Sequence, residues 1–478
     1  MKYYKIGWIV LKKCLVFIFV FVGLSLMFAY FKLNTKHLQL LITVSFVFVS
    51  LQYYYVVALS LMGIRKPVKD YADRRPKTRF LILIPAHNEE QVIASTVTNL
   101  RKLEYPQELF EIVVINDNST DETEMICTQI GVNHVNTGEK LFPREGVGKP
   151  GGIQYALRTL GFEGLADQYD ILLIIDADNH VDQHLLKELN SQWQSKGKPE
   201  AIQSYLGVKN YGTILSRGYG ISYWISNRFF QHAKYRLKLP CSLGGTGMAL
   251  NLNYLLKKGG FKFDSLTEDL ELEIEIVKDG GRILWNYFAG VYDEKPDHLQ
   301  ISMKQRTRWA QGHWYVAFKN SGCLLKAFFK TRKWKYIDQL IYLYSMGQSL
   351  YYVIFAVLNA LFMYITYVAT YNIDLVYNQF LFHLFHSFFP LFIFYWFTGI
   401  YSYAFLPLFT LHQIHQKKFF LKTVFLSLPY YSLTFMVVQI RGLLKFKQQG
   451  HWVKTPHNKT LIELEDTKSS KSSVRKLE

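Results

Sequence analysis

Three short apolar runs in the middle of the chain each end in a carboxylate, and they restrict the fold more than any other feature. Phe80-Leu81-Ile82-Leu83-Ile84 runs into Pro85-Ala86-His87-Asn88-Glu89-Glu90. Ile112-Val113-Val114-Ile115 runs into Asn116-Asp117-Asn118-Ser119-Thr120-Asp121, and Ile171-Leu172-Leu173-Ile174-Ile175 into Asp176-Ala177-Asp178-Asn179. A brief apolar run without polar alternation is the pattern of a strand buried on both faces. Each polar cluster is followed by a helical pattern, so the strands are expected to be parallel and joined by crossover helices. In such sheets ligands sit beyond the carboxyl ends of the strands. Glu89, Asp117, Asp176 and Asp178 are therefore expected to converge on one ligand.

This α/β stretch, residues 65–320, lies between apolar ends. The runs Cys14–Phe31 and Leu38–Ile64 carry no charge, and each is long enough to cross a bilayer. Residues 1–64 thus read as two transmembrane helices. Arg65, Lys66, Lys69, Arg74, Arg75, Lys77 and Arg79 follow at once, whereas the connector between the runs carries Lys32, Lys36 and His37. The basic bias puts residue 65 onward in the cytoplasm, with the N-terminus on the same side. Residues 323–340 mix Lys, Trp and Phe in the manner of an interfacial helix. Leu340–Ala369, Gln379–Leu411 and Phe419–Ile440 are further apolar blocks, so residues 321–440 read as that helix plus C-terminal spans. The tail, residues 441–478, is basic. An even number of C-terminal crossings keeps it cytoplasmic.

The net charge of +18 gathers beside the apolar blocks instead of forming one basic face, which argues against a nucleic-acid partner and for a lipid bilayer. Cys14, Cys127, Cys241 and Cys323 are scattered without CxxC or His partners, which suggests reduced thiols and no zinc site.

Asp176-Ala177-Asp178 places two carboxylates on a strand end, where they can hold a hard divalent cation, Mg2+ or Mn2+, that bridges a diphosphate. A lone DxD also serves as a helix cap or turn; the strand before it and the neighbouring clusters favour the cation. Asp117 and Glu89 are placed to accept hydrogen bonds from a nucleobase and ribose. Gly146-Val147-Gly148-Lys149-Pro150-Gly151-Gly152 reads as a flexible loop with Lys149 near a diphosphate, and lacks the spacing of a Walker A loop. A plain loop fits that stretch almost as well. Gly244-Gly245-Thr246-Gly247 permits close approach of a sugar, and Leu266-Thr267-Glu268-Asp269 comes after it. A carboxylate there can take the proton of an acceptor hydroxyl, which implies single in-line displacement with inversion. Gln305, Arg308 and Trp309 fall at i, i+3 and i+4, one helix face carrying an amide, a guanidinium and an indole. That trio suits a diphosphate and a sugar ring. Tyr292-Asp293-Glu294-Lys295-Pro296 lies between these motifs, and spacing assigns it no role.

The order PAHNEE (85–90), Asp117, GKPGG (148–152), DAD (176–178), TED (267–269), QRTRW (305–309) resembles the membrane-embedded processive family 2 glycosyltransferases, which include cellulose, hyaluronan and poly-N-acetylglucosamine synthases. The likeness covers residues 1–320 well and the C-terminal blocks only in kind. It implies a cytoplasmic GT-A-type domain between transmembrane helices in a bacterial plasma membrane. It further implies a UDP-sugar donor, UDP-GlcNAc or UDP-Glc, and a growing polysaccharide passed through the spans, with room for accessory export subunits. By the same resemblance Asp117 contacts uridine, Asp178 the metal, and Asp269 is the base with Glu268 beside it. Gln305, Arg308 and Trp309 then form the acceptor and diphosphate site. Trp452-Val453-Lys454-Thr455 resembles a tail element of some of these synthases that lies near the cytosolic site. The stretch PCSLGGTG (240–247) matches no member of known sugar cleanly, and the lysine loop reads Lys-Pro-Gly-Gly, so the sugar stays open. A non-processive glycolipid transferase and a non-catalytic transporter or scaffold are the rival readings. Every expected carboxylate is present, which weighs against the second.

Overall fold

The computed structural model of the chain describes residues 35–347, 400–413 and 423–450, with scattered residues between 350 and 378. The chain falls into two units, Met1–Tyr55 with Gly347–Ser402, and Val56–Met346 with Tyr403–Glu478. In the first unit the ring of Phe48 meets that of Tyr351 edge-on at 5.5 Å. Helix α1, Thr35–Met62, contains a stretch, Leu40–Met62, that is long and apolar enough to cross a membrane. Among the described residues it is the one helix of which this holds. The expected span Cys14–Phe31, most of the blocks Leu340–Ala369 and Gln379–Leu411, and the tail from residue 451 lie outside the described residues.

The second unit is built on an eight-stranded sheet. Its strands are β1 Phe80–Ala86, β2 Phe110–Asn116, β3 Asn133–Asn136, β4 Ile171–Ile174, β5 His180–Val181, β6 Ala201–Val208, β7 Met248–Asn251 and β8 Ile283–Asp293, in the order β3-β2-β1-β4-β7-β6-β8-β5. The three apolar runs of the sequence are neighbours, β2-β1-β4, all parallel. Alternate side chains explain why each run is apolar throughout. Leu81, Leu83, Val113, Ile115, Leu172 and Ile174 face one core, while Phe80, Ile82, Ile84, Val114, Ile171 and Leu173 face the other. The sheet is mixed, however. β7 runs antiparallel to both β4 and β6, and β5 antiparallel to β8. Reversing β7 carries the glycine-rich residues 244–247 to the carboxyl end of β4, beside Asp176, with the Gly247 amide donating to the Ile174 carbonyl at 2.8 Å.

The principal helices after α1 are α2 Ile93–Leu100, α3 Thr123–Gln129, α4 Gly148–Thr159, α5 Leu185–Ser195, α6 Ile214–Ile225, α7 Glu268–Lys278, α8 Leu299–Thr331, α9 Lys335–Ser345 and α10 Leu428–Leu444. The first core takes side chains from α4, α7 and α8, such as Ile153, Leu270 and Val316; the second takes them from α2 and α5, such as Val97 and Leu189.

The reading of residues 146–152 as a flexible loop is corrected: Gly148 opens α4, so Lys149 stands in a first helical turn. The glycines serve close packing. A Cβ on Gly151 would lie 2.5 Å from the Gly146 carbonyl oxygen, and one on Gly152 would lie 3.5 Å from Asp117 Oδ2.

α8 holds 33 residues, a length of about 50 Å. It is fastened along its sides. Arg306 is fully buried and donates to Thr434 Oγ1 at 2.8 Å and the Tyr431 carbonyl at 3.2 Å, with its guanidinium 4.6 Å from the Tyr431 ring centre. Lys234 and Asp338 form a buried ion pair at 3.0 Å that ties α9 to the unit. On another face, Gly312 lies against the loop that opens α7. A Cβ there would sit 2.5 Å from Thr267 Oγ1 and 2.7 Å from the Thr267 nitrogen. Backbone cannot yield as a flexible side chain does, so Gly312→Ala is expected to destabilise the unit by about 1–3 kcal/mol. A thermal melt of the purified chain reads this, and an unchanged midpoint would contradict the close packing.

Candidate active site

Asp117 directly follows β2, and its carboxylate is engaged from several sides. Arg144 Nη1 and Nη2 donate to Oδ1 and Oδ2 at 2.5 and 2.8 Å, the paired geometry typical of arginine with a carboxylate. Thr137 adds its hydroxyl to Oδ1 at 2.9 Å, and His87 Nδ1 donates to the Asp117 backbone carbonyl at 2.6 Å. Glu89 follows β1, with its amide donating to Thr123 Oγ1 at 2.8 Å, so β1 and β2 end against the start of α3. Arg144 was not among the residues singled out from the sequence. It stands in an irregular segment whose pattern carries no signal.

Lys149 reaches from the first turn of α4 to Asp176 Oδ1 and to the Gly245 carbonyl, the latter at 2.6 Å. Burial pulls its pKa down, but the charges of Asp176, Glu268 and Asp269 outweigh that and hold it above 10.5. The DxD end of β4, the glycine-rich turn and the start of α7 are therefore drawn together around one ammonium group. Gly245 has φ +78°, and a Cβ on it would lie 3.4 Å from Asp269 Oδ2, so the turn leaves space beside that carboxylate.

Glu268 and Asp269 occupy the first turn of α7. Burial, and next the Glu268 charge, push the Asp269 pKa from 3.8 up to about 7, against the Leu270 amide, Lys149 and Arg308. The Leu270 amide donates to Asp269 Oδ1 at 2.8 Å. A carboxylate with that pKa is divided between its two protonation states near neutrality, as suits a general base.

Lys149, Glu268 and Arg308 line one cavity of about 140 Å³, together with Phe263, Ser265 and Gln449. The Arg308 Nε is buried and has no hydrogen-bond partner among the described residues. Gln449, which sequence reasoning missed, closes this wall. Its Oε1 accepts from the Leu266 amide at 2.8 Å, immediately ahead of the TED motif. Gln305 and Trp309 are on the same helix as Arg308 and meet Tyr219 of α6. The Tyr219 hydroxyl donates to Gln305 Oε1 at 3.5 Å, and its ring stands edge-on to Trp309 at 6.5 Å.

Asp178 is buried. Its Oδ2 accepts from the Glu294 amide at 3.1 Å and its Oδ1 from Asn179 Nδ2 at 3.1 Å, which fixes the carboxylate in the turn between β4 and β5. Nearby Asp293 has a buried Oδ1 without a hydrogen-bond partner among the described residues. Burial pushes its pKa up to about 6; Lys295 opposes this, and the Asp178 and Asp176 charges add to it. Cations already stand on these residues, Lys149 on Asp176, Lys209 on the Asp178 carbonyl and Lys295 on Asp293, so Asp176 and Asp178 are the carboxylates left to meet a divalent cation. Among the described residues no three His, Cys, Asp or Glu side chains are grouped to hold a metal by themselves. Two carboxylates with oxygens supplied by a diphosphate and water suit Mg2+ or Mn2+ better than a cage made wholly of protein.

Residues 76–312 match the family described as "Glycosyltransferase like family 2". The chain is 27% identical over 388 residues to a "Probable glycosyltransferase YdaM" of Bacillus subtilis, covering 78% of this chain and 86% of that protein. It is 28% identical over 269 residues to a "Beta-monoglucosyldiacylglycerol synthase" of Nostoc sp., with 55% of each chain covered. It is 25% identical over 271 residues to a "Poly-beta-1,6-N-acetyl-D-glucosamine synthase" of Staphylococcus aureus, covering 57% of this chain and 61% of that one. The chain therefore spans little more than half the length of these last two relatives. In fold it is similar to the mannosyltransferase PcManGT of Pyrobaculum calidifontis, solved with GDP-Man and Mn2+ (TM-score 0.54, 17% identity, 87% of this chain and all of that one). Residues 76–312 match a family 2 glycosyltransferase domain, their sheet is GT-A-like in fold, and the chain is a glycosyltransferase.

Proposed function

We propose that the chain is an inverting, processive β-glycosyltransferase that extends a polysaccharide from a UDP-sugar, UDP-GlcNAc or UDP-Glc. It works as a multi-pass protein of the cell membrane, with the catalytic domain cytoplasmic and the product passed through its own spans. The observation that carries the reading is the cavity shared by Lys149, Glu268 and Arg308, with Asp269 beside it. Two cations suit a diphosphate, and a carboxylate poised near neutrality suits the hydroxyl that attacks the sugar.

In this mechanism Asp117 and Glu89 hold the nucleoside at the ends of β2 and β1, with Arg144 giving up its place on Asp117 as the base enters. Asp178, with Asp176 adjacent, would hold a divalent cation, which would supply positive charge to the leaving diphosphate. Lys149 and Arg308 offset the remaining charge. Asp269 takes the proton of the acceptor hydroxyl as that oxygen attacks the anomeric carbon from the side opposite the diphosphate, which inverts the centre. Gln305 and Trp309 hold the acceptor's terminal sugar, the indole offering a flat apolar face.

Likeness to a poly-N-acetylglucosamine synthase favours a polymer product, and likeness to a glucosyldiacylglycerol synthase favours a second reading, a glycolipid made one sugar at a time. Membranes carrying the chain, incubated with a panel of labelled UDP-sugars, are expected to place label in high-molecular-weight material. Label extracted wholly with lipid would replace the first reading by the second.

Asp269→Asn is expected to lower turnover by about 10²–10⁴-fold while donor binding is kept, because proton removal alone is lost. The rate should rise with pH to a plateau above about 7, the ionised form being the base. Glu268→Gln removes the like charge and should move that limb to lower pH. The folded-state pKa lies above the ordinary 3.8, so ionisation of buried Asp269 costs stability as pH rises from about 4 through 7. Activity and stability should thus run in opposite directions in that window. A rate independent of pH between 5 and 8 would remove Asp269 as the base.

Asp178→Ala should weaken cation-dependent UDP binding, measured by calorimetry with and without Mn2+. An unchanged cation dependence would assign the ion elsewhere.

A further inference from the structure

The segment Tyr292-Asp293-Glu294-Lys295-Pro296 takes no part in the proposed transfer mechanism, yet it lies between the cation end of the site and the acceptor end. Its backbone is fixed at both sides. The Glu294 amide donates to Asp178 Oδ2 at 3.1 Å. Asn210 clamps Lys295, its Oδ1 accepting from the Lys295 amide and its Nδ2 donating to the Lys295 carbonyl, both at 2.8 Å. The Lys295 side chain is 2% exposed, rare for a lysine. Its ammonium group pairs with Asp293 and donates to the Tyr223 hydroxyl at 2.7 Å. The same group lies over three rings, 3.9 Å from the centre of Tyr223, 5.7 Å from Tyr219 and 5.8 Å from Trp309. Tyr219 in turn contacts Gln305 and Trp309, the proposed acceptor pair.

A cation buried among ring faces attracts each of them, and more strongly where water is excluded. The three rings sit on two helices, Tyr219 and Tyr223 on α6 and Trp309 on α8, and Lys295 belongs to neither. We propose that Lys295 is a positioning residue for the acceptor sugar. From the end of β8 it draws the aromatic rings of α6 and α8 into one platform, and Asp293 holds its charge in place beside the carboxylates of the donor end. The inference rests on the reading of Trp309 as the acceptor platform. Loss of Lys295 then weakens the grip on the acceptor and leaves the donor and the base as they were.

The experiment compares two reactions of the same detergent-purified full-length chain, transfer from UDP-sugar to an added oligosaccharide and hydrolysis of UDP-sugar by water. Lys295→Met alone would strand Asp293 as a buried charge, so the variant is the double Asp293→Asn/Lys295→Met. It is expected to raise the acceptor KM about tenfold, with the donor KM within about twofold of the parent, and to shift the product ratio toward hydrolysis. Tyr223→Phe removes one oxygen and is expected to raise the acceptor KM about threefold, which keeps the test open should the double variant not fold. An unchanged acceptor KM, or an equal fall in transfer and hydrolysis, overturns the proposal. Trp309→Ala separates the premise from the inference. If it leaves the acceptor KM unchanged, the acceptor platform itself is misplaced. If it raises that KM while the Lys295 and Tyr223 variants do not, the platform stands and the role of Lys295 falls.

Discussion

Charge compensation around Lys149 is the constraint on which the rest of the site depends. Asp176, Glu268 and Asp269 come from two elements, the end of β4 and the first turn of α7, and all act on the one ammonium group. Without a cation between them, buried carboxylates repel and lose their hydration. Lys149 supplies that cation from the first turn of a helix between β3 and β4. The glycines that flank it are explained by the same need. They let α4 come close to Asp117 and to the Gly146 backbone. Three carboxylates against one ammonium leave an excess of negative charge, so an anionic diphosphate entering here would call on a further cation. Arg308, with a buried Nε that has no hydrogen-bond partner among the described residues, is the reserve.

Much of this fold was legible in the sequence, because two-sided burial leaves no room for polar alternation. The runs at 80, 112 and 171 became β1, β2 and β4 in parallel register, with the carboxylates at the expected ends. What was not legible is the reversal of β7. Met248-Ala249-Leu250-Asn251 is only four residues long, and neither its period nor its flanks states a direction. Direction is decided by tertiary structure, since β7 fills the gap between β4 and β6 with antiparallel bonds to both. The glycine-rich start of α4 misled for a related reason. Glycine is a poor helix former in isolation, and the tight contact between Gly151 and Gly146 overrides that propensity.

The site divides in the same way. Residues within a short motif are carried by spacing: Asp176 and Asp178 fall in the segment just after β4, and Gln305, Arg308 and Trp309 fall on α8. Residues that complete the site from a distance were not. Arg144 meets Asp117 across 27 positions, and Gln449 meets Leu266 across 183. No local period records such pairs. Lys295 is the intermediate case. Its motif stood out in the sequence, but its chemistry depends on Tyr223 and Trp309, which lie 72 residues before it and 14 after it.

These long-range contacts show where the working unit ends. The family 2 match stops at residue 312, in the middle of α8. Yet α8 is held in place by the C-terminal helix α10 and the segment after it. Arg306, one residue along from Gln305, is fully buried and finds its acceptors on Tyr431 and Thr434 of α10. A guanidinium in such a place costs several kcal/mol if those oxygens are absent. Gly442 of α10 lies so close to α8 that a Cβ on it would be 2.4 Å from the Ala310 Cβ. Gln449 then returns to the TED motif itself. The first turn of α7 is thus fixed by α8 at Gly312 and by the segment after α10 at Gln449. The packing of α10 therefore bears on where Glu268, Asp269 and Arg308 stand, through Arg306 and Ala310 on α8 and through Gln449 at Leu266.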